Sequence, residues 1–325
     1  MHTKVCDLLR IDYPIIQPGM GIFTSAELVA AVSNAGGIGI LGGASRPLDN
    51  LVEEVKKVRQ LTNRPFGVNF LVTNYLEEAF QHALDAKVPL VSTALGDPGG
   101  LVRRVHDAGA LYMHQVHTRT QARQAKERGV DLIVAQGSEA GGYGQWVSAL
   151  PLIPQVVDAV RPVPVLAAGG IADGRGVAAA LVLGAEGAVM GTRFLASTEA
   201  PIGDEWKKVI ISSESESTTK VEFINDLLDQ GKLGYGTVPR ALGTDFIQKH
   251  ASDREHVRKN RELILGEMMQ GVMKRQSHLY IPFTGQTTGL IRDILPAGEI
   301  VRRVVAEARS ALDRASGVGV KAPAA

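Results

Sequence analysis

The sequence has little cysteine, few aromatic residues and almost no net charge. Its 325 residues include one cysteine, Cys6, which excludes an intrachain disulfide and fits a reducing cytoplasm. With 35 Lys and Arg against 34 Asp and Glu, the charge gives no reason to expect nucleic acid or an anionic membrane as a partner. No apolar run approaches the roughly 20 residues that span a bilayer, and the N-terminus lacks a signal-peptide core. We therefore expect a cytoplasmic protein.

Glycine, in contrast, is abundant, with 36 residues concentrated where short apolar runs end. Eight such runs alternate with helical patterns about every 20 to 25 residues. They cover residues 14–18, 36–41, 65–71, 89–93, 111–116, 130–136, 163–168 and 187–190. Continuous apolar strands with helices between them are typical of a parallel sheet covered on both faces. Eight units predict an α/β fold, a (β/α)₈ or TIM barrel. An open doubly wound sheet is the alternative, but the first strand–helix turn lacks its GxGxxG pattern.

The strand–helix rhythm stops after the eighth run. Residues 201–281 show helical patterns at 205–211, 221–228 and 253–275, a Gly/Pro-rich stretch at 232–240, and no strand pattern. We predict a small helical subdomain inserted after the eighth strand, which acts as a lid over the barrel mouth. Residues 1–200 and 282–316 would then form the barrel, and 317–325 a disordered tail.

Two neighbouring strand ends carry a pattern that suits an anion. The seventh run ends at Gly169 and Gly170, and the eighth at Gly191 and Thr192. Barrel enzymes commonly bind phosphate at these two loops, where bare backbone N–H groups and helix N-termini face the ligand. The alternative is that each glycine only makes a tight turn. Two adjacent strand ends with the same pattern favour the phosphate site.

The other strand ends carry neutral hydrogen-bonding groups. They include Gly19 and Met20 after the first strand, Asn69 in the third, Gln115 in the fifth and Gln136 in the sixth. No His, Asp and Glu set has metal-ligand spacing, and there is no G-x-S-x-G motif or catalytic carboxylate pair. A glycine-rich stretch, GSEAGGYG (137–144), then leaves a bare backbone beside the site. Amides and bare backbone suit a planar heterocycle with carbonyl and imide edges, and we interpret the ligand as a flavin mononucleotide (FMN).

At these positions the chain resembles the nitronate monooxygenase family, also called 2-nitropropane dioxygenases, and the related FMN-dependent enoyl-ACP reductases. The matching segments run in order along the barrel: YPIIQPGM (13–20), NAGGIGILGG (34–43), RPFGVNFL (64–71), GSEAGG (137–142), PVLAAGGIADGRG (164–176) and GAEGAVMGTRFL (184–195). The resemblance implies FMN contacts from Gly19, Met20, Asn69, Gln115, Gln136, Gly141, Gly142, Gly169, Gly170, Gly191 and Thr192. It implies an enzyme that oxidises alkyl nitronates with O₂ through the flavin N5.

One residue departs from the family pattern. The residue after the double glycine is usually histidine in both groups, and here it is Tyr143. A histidine with a pKa of about 6.5 can act as a base at neutral pH, whereas a tyrosine with a pKa of about 10 donates a hydrogen bond or a proton. The alternative is that Tyr143 is a packed aromatic residue at the rim with no role in proton transfer. His114, at the end of the fifth strand, is the second catalytic candidate if its side chain faces the ring. We expect His117, His250, His256 and His278 at the surface.

Alternative functions remain open at this point. The first alternative is an NAD(P)H-dependent reductase of an enoyl thioester (ACP or CoA) or a quinone, with NADH or NADPH as co-substrate. A sugar-phosphate isomerase or aldolase would need a catalytic lysine or carboxylate at a strand end, and none is found. A flavin-binding regulator with little turnover is a further class. We expect a small-molecule or acyl-thioester substrate, a homodimer, and no metal.

Overall fold

Eleven strands are present in the computed structural model, which describes residues 1–44, 46–228 and 236–318. They are β1 (Ile15–Gln17), β2 (Ile38–Gly42), β3 (Phe66–Leu71), β4 (Leu90–Ala94), β5 (Leu111–Val116), β6 (Leu132–Gln136), β7 (Gly142–Gly144), β8 (Val165–Ala168), β9 (Gly187–Val189), β10 (Thr218–Lys220) and β11 (Val238–Leu242). Eight of them form a closed parallel barrel in the order β1-β2-β3-β4-β5-β6-β8-β9. Pairing of Ile15 with Ala188 joins β1 to β9. The predicted (β/α)₈ barrel is confirmed.

Alternating side chains fill the barrel interior. The interior cluster takes one residue in two from the strands, such as Met113 in β5 and Val134 in β6. Helix α1 (Lys4–Leu9) adds Val5, Cys6 and Leu9 to the same cluster. The interior is therefore a packed core and not a pore.

Seven helices follow barrel strands and one returns at the end of the chain. They are α2 (Ala26–Asn34), α3 (Leu48–Leu61), α4 (Glu77–Asp85), α5 (Leu101–Asp107), α6 (Arg119–Glu127), α7 (Ala149–Val160), α8 (Gly174–Val182) and α15 (Ala297–Ser316). Short polar residues begin several of them. Ser25 caps α2 by accepting from Leu28 N at 3.2 Å, and Asp173 caps α8 by accepting from Arg175 N at 2.9 Å. These caps set where each helix starts, and hence the length of the strand–helix loops.

The segment after β9 contains helices, as predicted, and also strands that were not predicted. Its helices are α9 (Thr192–Leu195), α10 (Asp204–Ser212), α11 (Ile224–Leu227), α12 (Asp245–Ala251), α13 (Arg254–Lys259) and α14 (Arg261–Met273). The strands β10 and β11 read TTK and VPRAL, which have no run of alternating apolar residues, so periodicity does not reveal them. The predicted 253–275 helix is two helices that meet at Asn260. Of the predicted loop at 232–240 and tail at 317–325, residues 232–235 and 319–325 lie outside the described residues.

These strands form a small antiparallel sheet in the order β10-β11-β7. Its third strand, β7, comes from the glycine-rich stretch of the barrel. Tyr143 lies opposite Pro239, on the face that packs against the apolar cluster of the insert. Lys220 and Arg240 pair on the opposite face. The barrel and the insert are thus joined by backbone hydrogen bonds. Among the described residues, no helix is long and apolar enough to span a membrane.

Candidate active site

The predicted phosphate loops lie at the mouth with bare backbone. Gly169 and Gly170 have φ values of 88° and 74°, a left-handed conformation that favours glycine. A Cβ on Gly170 would come no closer than 3.8 Å to a neighbouring atom, and this residue is exposed. Helix α8 starts four residues later with its N-terminus capped by Asp173. The first N–H groups of α8 are bound to carboxylates, Gly174 N to Glu307 and Arg175 N to Asp173. The exposed backbone at Gly170 is therefore the part of this loop that an anion could reach.

The second phosphate loop contacts both the first strand and the end of the insert. A Cβ on Gly191 would lie 3.6 Å from Met20 Sδ, so these two predicted site residues are neighbours. The buried Thr192 hydroxyl accepts a hydrogen bond from Gly285 N at 2.9 Å. That hydroxyl keeps its own proton, so it can still donate to a phosphate oxygen. Thr192 therefore also holds the chain where it returns from the insert, a role that its sequence position did not indicate.

Gly19 and Asn69 are in contact at the adjacent part of the mouth. A Cβ on Gly19 would lie 2.3 Å from Asn69 Cβ, so only glycine fits there. The Asn69 amide donates to Ser92 Oγ at 3.2 Å, which fixes its plane. Asn69, Gln115 and Gln136 all stand on the inward-facing side of their strands. The structure thus brings together the neutral amides that were predicted from separate strand ends.

Three glycines of the 137–144 stretch are required for two different reasons. A Cβ on Gly137 would lie 2.4 Å from Ala149 N, and one on Gly141 would lie 2.6 Å from Gly285 N. These two glycines allow close backbone packing. Gly142 has φ of 70°, and no neighbour among the described residues lies within 4 Å of a Cβ built on it. Of the three, Gly142 is the one whose bare backbone faces open space.

Tyr143 directs its ring toward the insert. The ring packs against the insert cluster, with the Phe283 ring centroid 6.1 Å away. Its hydroxyl oxygen is buried and has no hydrogen-bond partner among the described residues. Burial raises the pKa of this phenol above its usual value of about 10. Tyr143 is therefore a protonated donor at neutral pH and cannot replace histidine as a base.

The structure does not support His114 as a base at the mouth. Met113 belongs to the barrel interior, so His114 lies on the opposite, outward face of β5 with Tyr112. Its Nδ1 is 2.7 Å from Thr93 Oγ1, and its ring also bonds to the Gly96 backbone. Burial lowers its pKa to about 4. His114 is a neutral histidine that joins β5 to β4 and to the loop after it.

The expectation that His117 and His250 lie at the surface is wrong. His117 is 3% exposed and lies beneath β7, where its Nε2 is 3.3 Å from Gln115 Nε2. His250 is 2% exposed and lies in the insert core, with its ring centroid 4.5 Å from that of Phe246. The period of two from Gln115 to His117 was the available signal, because it places both on the side that faces the mouth. No local signal distinguishes His250 from an exposed helical residue.

Two basic residues reach the mouth from the small sheet and were not predicted. Lys220 Nζ donates to the carbonyls of Gln145 and Val238, both at 3.1 Å. Burial, and then the charge of Arg240, lower its pKa to about 8. Arg240 Nε donates to Ser138 O at 3.0 Å. These cations attach the insert to the glycine-rich stretch. Lys220 and Arg240 could not be assigned to the site from the sequence, because only the pairing of β10, β11 and β7 brings them next to the glycine-rich stretch.

Among the described residues, no group of three His, Cys, Asp or Glu is placed to hold a metal ion.

Comparisons with known proteins agree with the barrel fold. The sequence model of a family described as nitronate monooxygenase matches residues 2–83 and 73–307. The chain is 29% identical to the (3aS,4S,5R,7aS)-5-hydroxy-7a-methyl-1-oxo-octahydro-1H-indene-4-carboxyl-CoA dehydrogenase of Mycobacterium tuberculosis, over 97% of this chain and 98% of that protein. It is 32% identical to a probable nitronate monooxygenase of Staphylococcus saprophyticus, over 77% of this chain and 81% of that protein. The structure of FabK from Thermotoga maritima matches with a TM-score of 0.88 and 33% identity, and covers 98% of this chain and 99% of that one.

Proposed function

Because the chain belongs to the nitronate monooxygenase family, we propose that this oxidoreductase uses FMN and acts on an acyl-type thioester held beside Tyr143. The observation that carries this proposal is the buried Tyr143 hydroxyl, which lacks a hydrogen-bond partner among the described residues. A buried donor without a partner is costly, and a ligand that accepts from it removes that cost. A thioester carbonyl oxygen is such an acceptor.

The residues at the mouth fit FMN. Gly170 and Gly142 have left-handed backbones with open space on one side, which a flat ligand and its phosphate need. The inward-facing amides of Asn69, Gln115 and Gln136 match the carbonyl and imide edges of the flavin ring. FMN, when bound, supplies the two-electron carrier for the reaction. The protein residues bind it, orient the substrate and exclude water.

Tyr143 suits the reduction of a conjugated thioester. Addition of hydride to the β-carbon of an enoyl thioester places negative charge on the carbonyl oxygen, and a proton then completes the reduction at the α-carbon. A phenol held in a low-dielectric pocket stabilises that charge by donating a hydrogen bond to the oxygen. NADH or NADPH would provide the two electrons. The full-length similarity to a CoA-thioester dehydrogenase supports this substrate class.

Oxidation of alkyl nitronates with O₂ is the second candidate, and the family match favours it. Nitronates are already anionic, so this reaction needs no base to remove a proton from carbon. The phenol of Tyr143 can donate to a nitronate oxygen equally well. Neutral nitroalkanes, which need a base, are expected to be poor substrates because Tyr143 is protonated at neutral pH.

A stopped-flow experiment distinguishes the two candidates. The FMN-loaded protein is mixed without oxygen with NADH, NADPH or propyl nitronate, and the visible flavin absorbance is followed. The thioester proposal expects loss of absorbance with a nicotinamide nucleotide and its return when crotonyl-CoA is added. Loss with the nitronate and with neither nucleotide would favour the second candidate. A protein that takes up no FMN would contradict both.

A further inference from the structure

A buried histidine beneath β7 has no role in the reaction as proposed so far. His117 follows β5 directly and is 3% exposed. Its neighbours come from four elements: Gln115 of β5, Gln121 of α6, the Tyr143 backbone of β7, and Lys220 of β10. His117 therefore lies where the barrel mouth and the sheet of the insert meet.

Both hydrogen-bonding functions of the imidazole are used. Nε2 lies 3.3 Å from the amide nitrogen of Gln115, which is a donor. The ring also faces the Tyr143 backbone and the side chain of Gln121, whose oxygen accepts from His117 N at 2.8 Å. A neutral imidazole has one donor and one acceptor, so it can donate to the Tyr143 carbonyl and accept from Gln115. Burial lowers the pKa of His117 to about 4, and the charge of Lys220 acts in the same direction. The ring is therefore neutral at physiological pH, in the form that serves both partners.

A second side chain holds the same peptide group. The Gln136 amide at the end of β6 donates to the Tyr143 carbonyl oxygen at 2.7 Å. Donors at the ends of two adjacent barrel strands thus converge on one carbonyl of β7. That carbonyl belongs to Tyr143 itself, so holding it also fixes the position of the backbone that carries the phenol side chain. On either side of Tyr143, Gly142 and Gly144 pair with Arg240 and Val238 of β11.

We propose that His117 is a positioning residue that holds Tyr143 in register with Gln115 across the barrel mouth. This inference rests on the proposed function, in which Tyr143 contacts the substrate and Gln115 the flavin. A histidine that only filled space could be replaced by phenylalanine. A histidine that must donate to one partner and accept from another could be replaced by glutamine, whose amide does both.

Substitution at this position tests the proposal. His117→Phe should lower kcat about 10- to 100-fold, because a misplacement of about 1 Å at a reacting group has an effect of that size, while KM stays within about 2-fold. His117→Gln should retain kcat within about 3-fold of the wild type. His106→Gln is the control, since His106 is an exposed histidine on α5 that pairs with Asp131 at 2.8 Å. It should leave both constants unchanged.

Hydrogen–deuterium exchange of the purified full-length protein provides a readout independent of turnover. His117→Phe should raise exchange at residues 142–145 and leave β5 and β6 protected, and His117→Gln should resemble the wild type. An unchanged kcat and unchanged exchange in His117→Phe would overturn the proposal. Equal losses in both variants, with exchange raised throughout the barrel, would also overturn it, because they would indicate a general core role. A wild-type protein inactive on both substrate classes would count against the proposed function, and the exchange result would still decide whether His117 holds β7.

Discussion

The barrel strands pair mostly with strands that follow them in the chain, whereas the small sheet joins two strands of the insert, β10 and β11, to β7, which lies much earlier in the chain. In the barrel, β2 pairs with β3 and β3 with β4, each across a single helix. In the small sheet, β7 pairs with β11, which lies almost a hundred residues further along the chain. Joining distant segments costs more loop-closure entropy, which specific contacts must offset. Lys220 and Arg240, which bond to backbone carbonyls at this junction, supply such contacts.

The same comparison holds for the candidate site. The barrel supplies bare backbone at Gly170 and Gly142 and amides at the strand ends, and these suit a cofactor. The insert supplies the aromatic surface against which Tyr143 packs, and this suits a substrate. In the proposed function, the contacts to FMN would depend on residues at the strand ends, and the contacts to the substrate would depend on how the insert docks. Substitutions in the two regions should therefore have different consequences.

The largest expected effect comes from acid, and it acts on the barrel. His114 and His117 have pKa values lowered to about 4, against about 6.5 in the unfolded chain. The unfolded state therefore binds more protons between pH 6.5 and 4, and stability falls as the pH falls through that range. The loss should be about 3 kcal/mol for each histidine by pH 4. Urea unfolding at pH 7, 6 and 5 measures it.

The buried histidine of the insert sharpens this test. Burial lowers the pKa of His250 as well, so the insert should also lose stability in acid. His117→Gln removes one titrating group, so the free energy of unfolding should fall less steeply as the pH is lowered, by the amount that one bound proton contributes. A free energy of unfolding that stays constant between pH 7 and pH 5 would contradict the prediction.

The next effect concerns turnover and separates the insert half of the site from the barrel half. Tyr143→Phe should lower kcat on the thioester about 100-fold, because the donor to the carbonyl is lost. It should leave FMN binding unchanged and stability equal or slightly higher, since the removed hydroxyl is buried without a partner among the described residues. Steady-state kinetics and thermal unfolding measure these outcomes. Tyr280→Phe, in the same aromatic cluster, is the control and should leave kcat unaffected.

The smallest effect tests the joint between barrel and insert. Gly141→Ala should lower the free energy of unfolding by about 2 kcal/mol, because its Cβ would lie 2.6 Å from Gly285 N and the backbone must move. Gly100→Ala is a matched control, since no neighbour among the described residues lies within 4 Å of a Cβ there. Denaturant unfolding compares the two. Equal free energies of unfolding for the two variants would contradict the prediction, because they would show that the backbone near residues 141 and 285 can move apart without loss of stability.

Much of the barrel could be predicted from the sequence because its signals are local. The run predicted at 65–71 is β3 at Phe66–Leu71, and the run at 111–116 is β5. Each strand is buried on both faces, so it reads as a continuous apolar segment whatever its neighbours do. The glycine pattern at the strand ends is also local, and it led to the family that the comparisons confirm.

The roles of the histidines could not be predicted in the same way. His114 and His117 are three residues apart, so alternation along the strand puts them on opposite sides, with His114 in the outer layer behind β5 and His117 toward the mouth. The alternation along a strand is visible in the sequence, but which parity faces inward depends on how the barrel closes. The aromatic environment of Tyr143 likewise depends on β11, which contains a proline and an arginine and therefore does not read as a strand in the sequence.

The sequence by itself determined the barrel, the glycines and amides at its strand ends, and its family, because periodicity and strand-end glycines are visible within a few residues. Only the tertiary structure decided that the glycine-rich stretch becomes a strand of the insert. The same contacts leave the Tyr143 hydroxyl without a partner among the described residues and place His117 beneath the Tyr143 backbone. The physical reason is that long-range pairing and side-chain burial are properties of the closed fold, and no window of the sequence contains both partners.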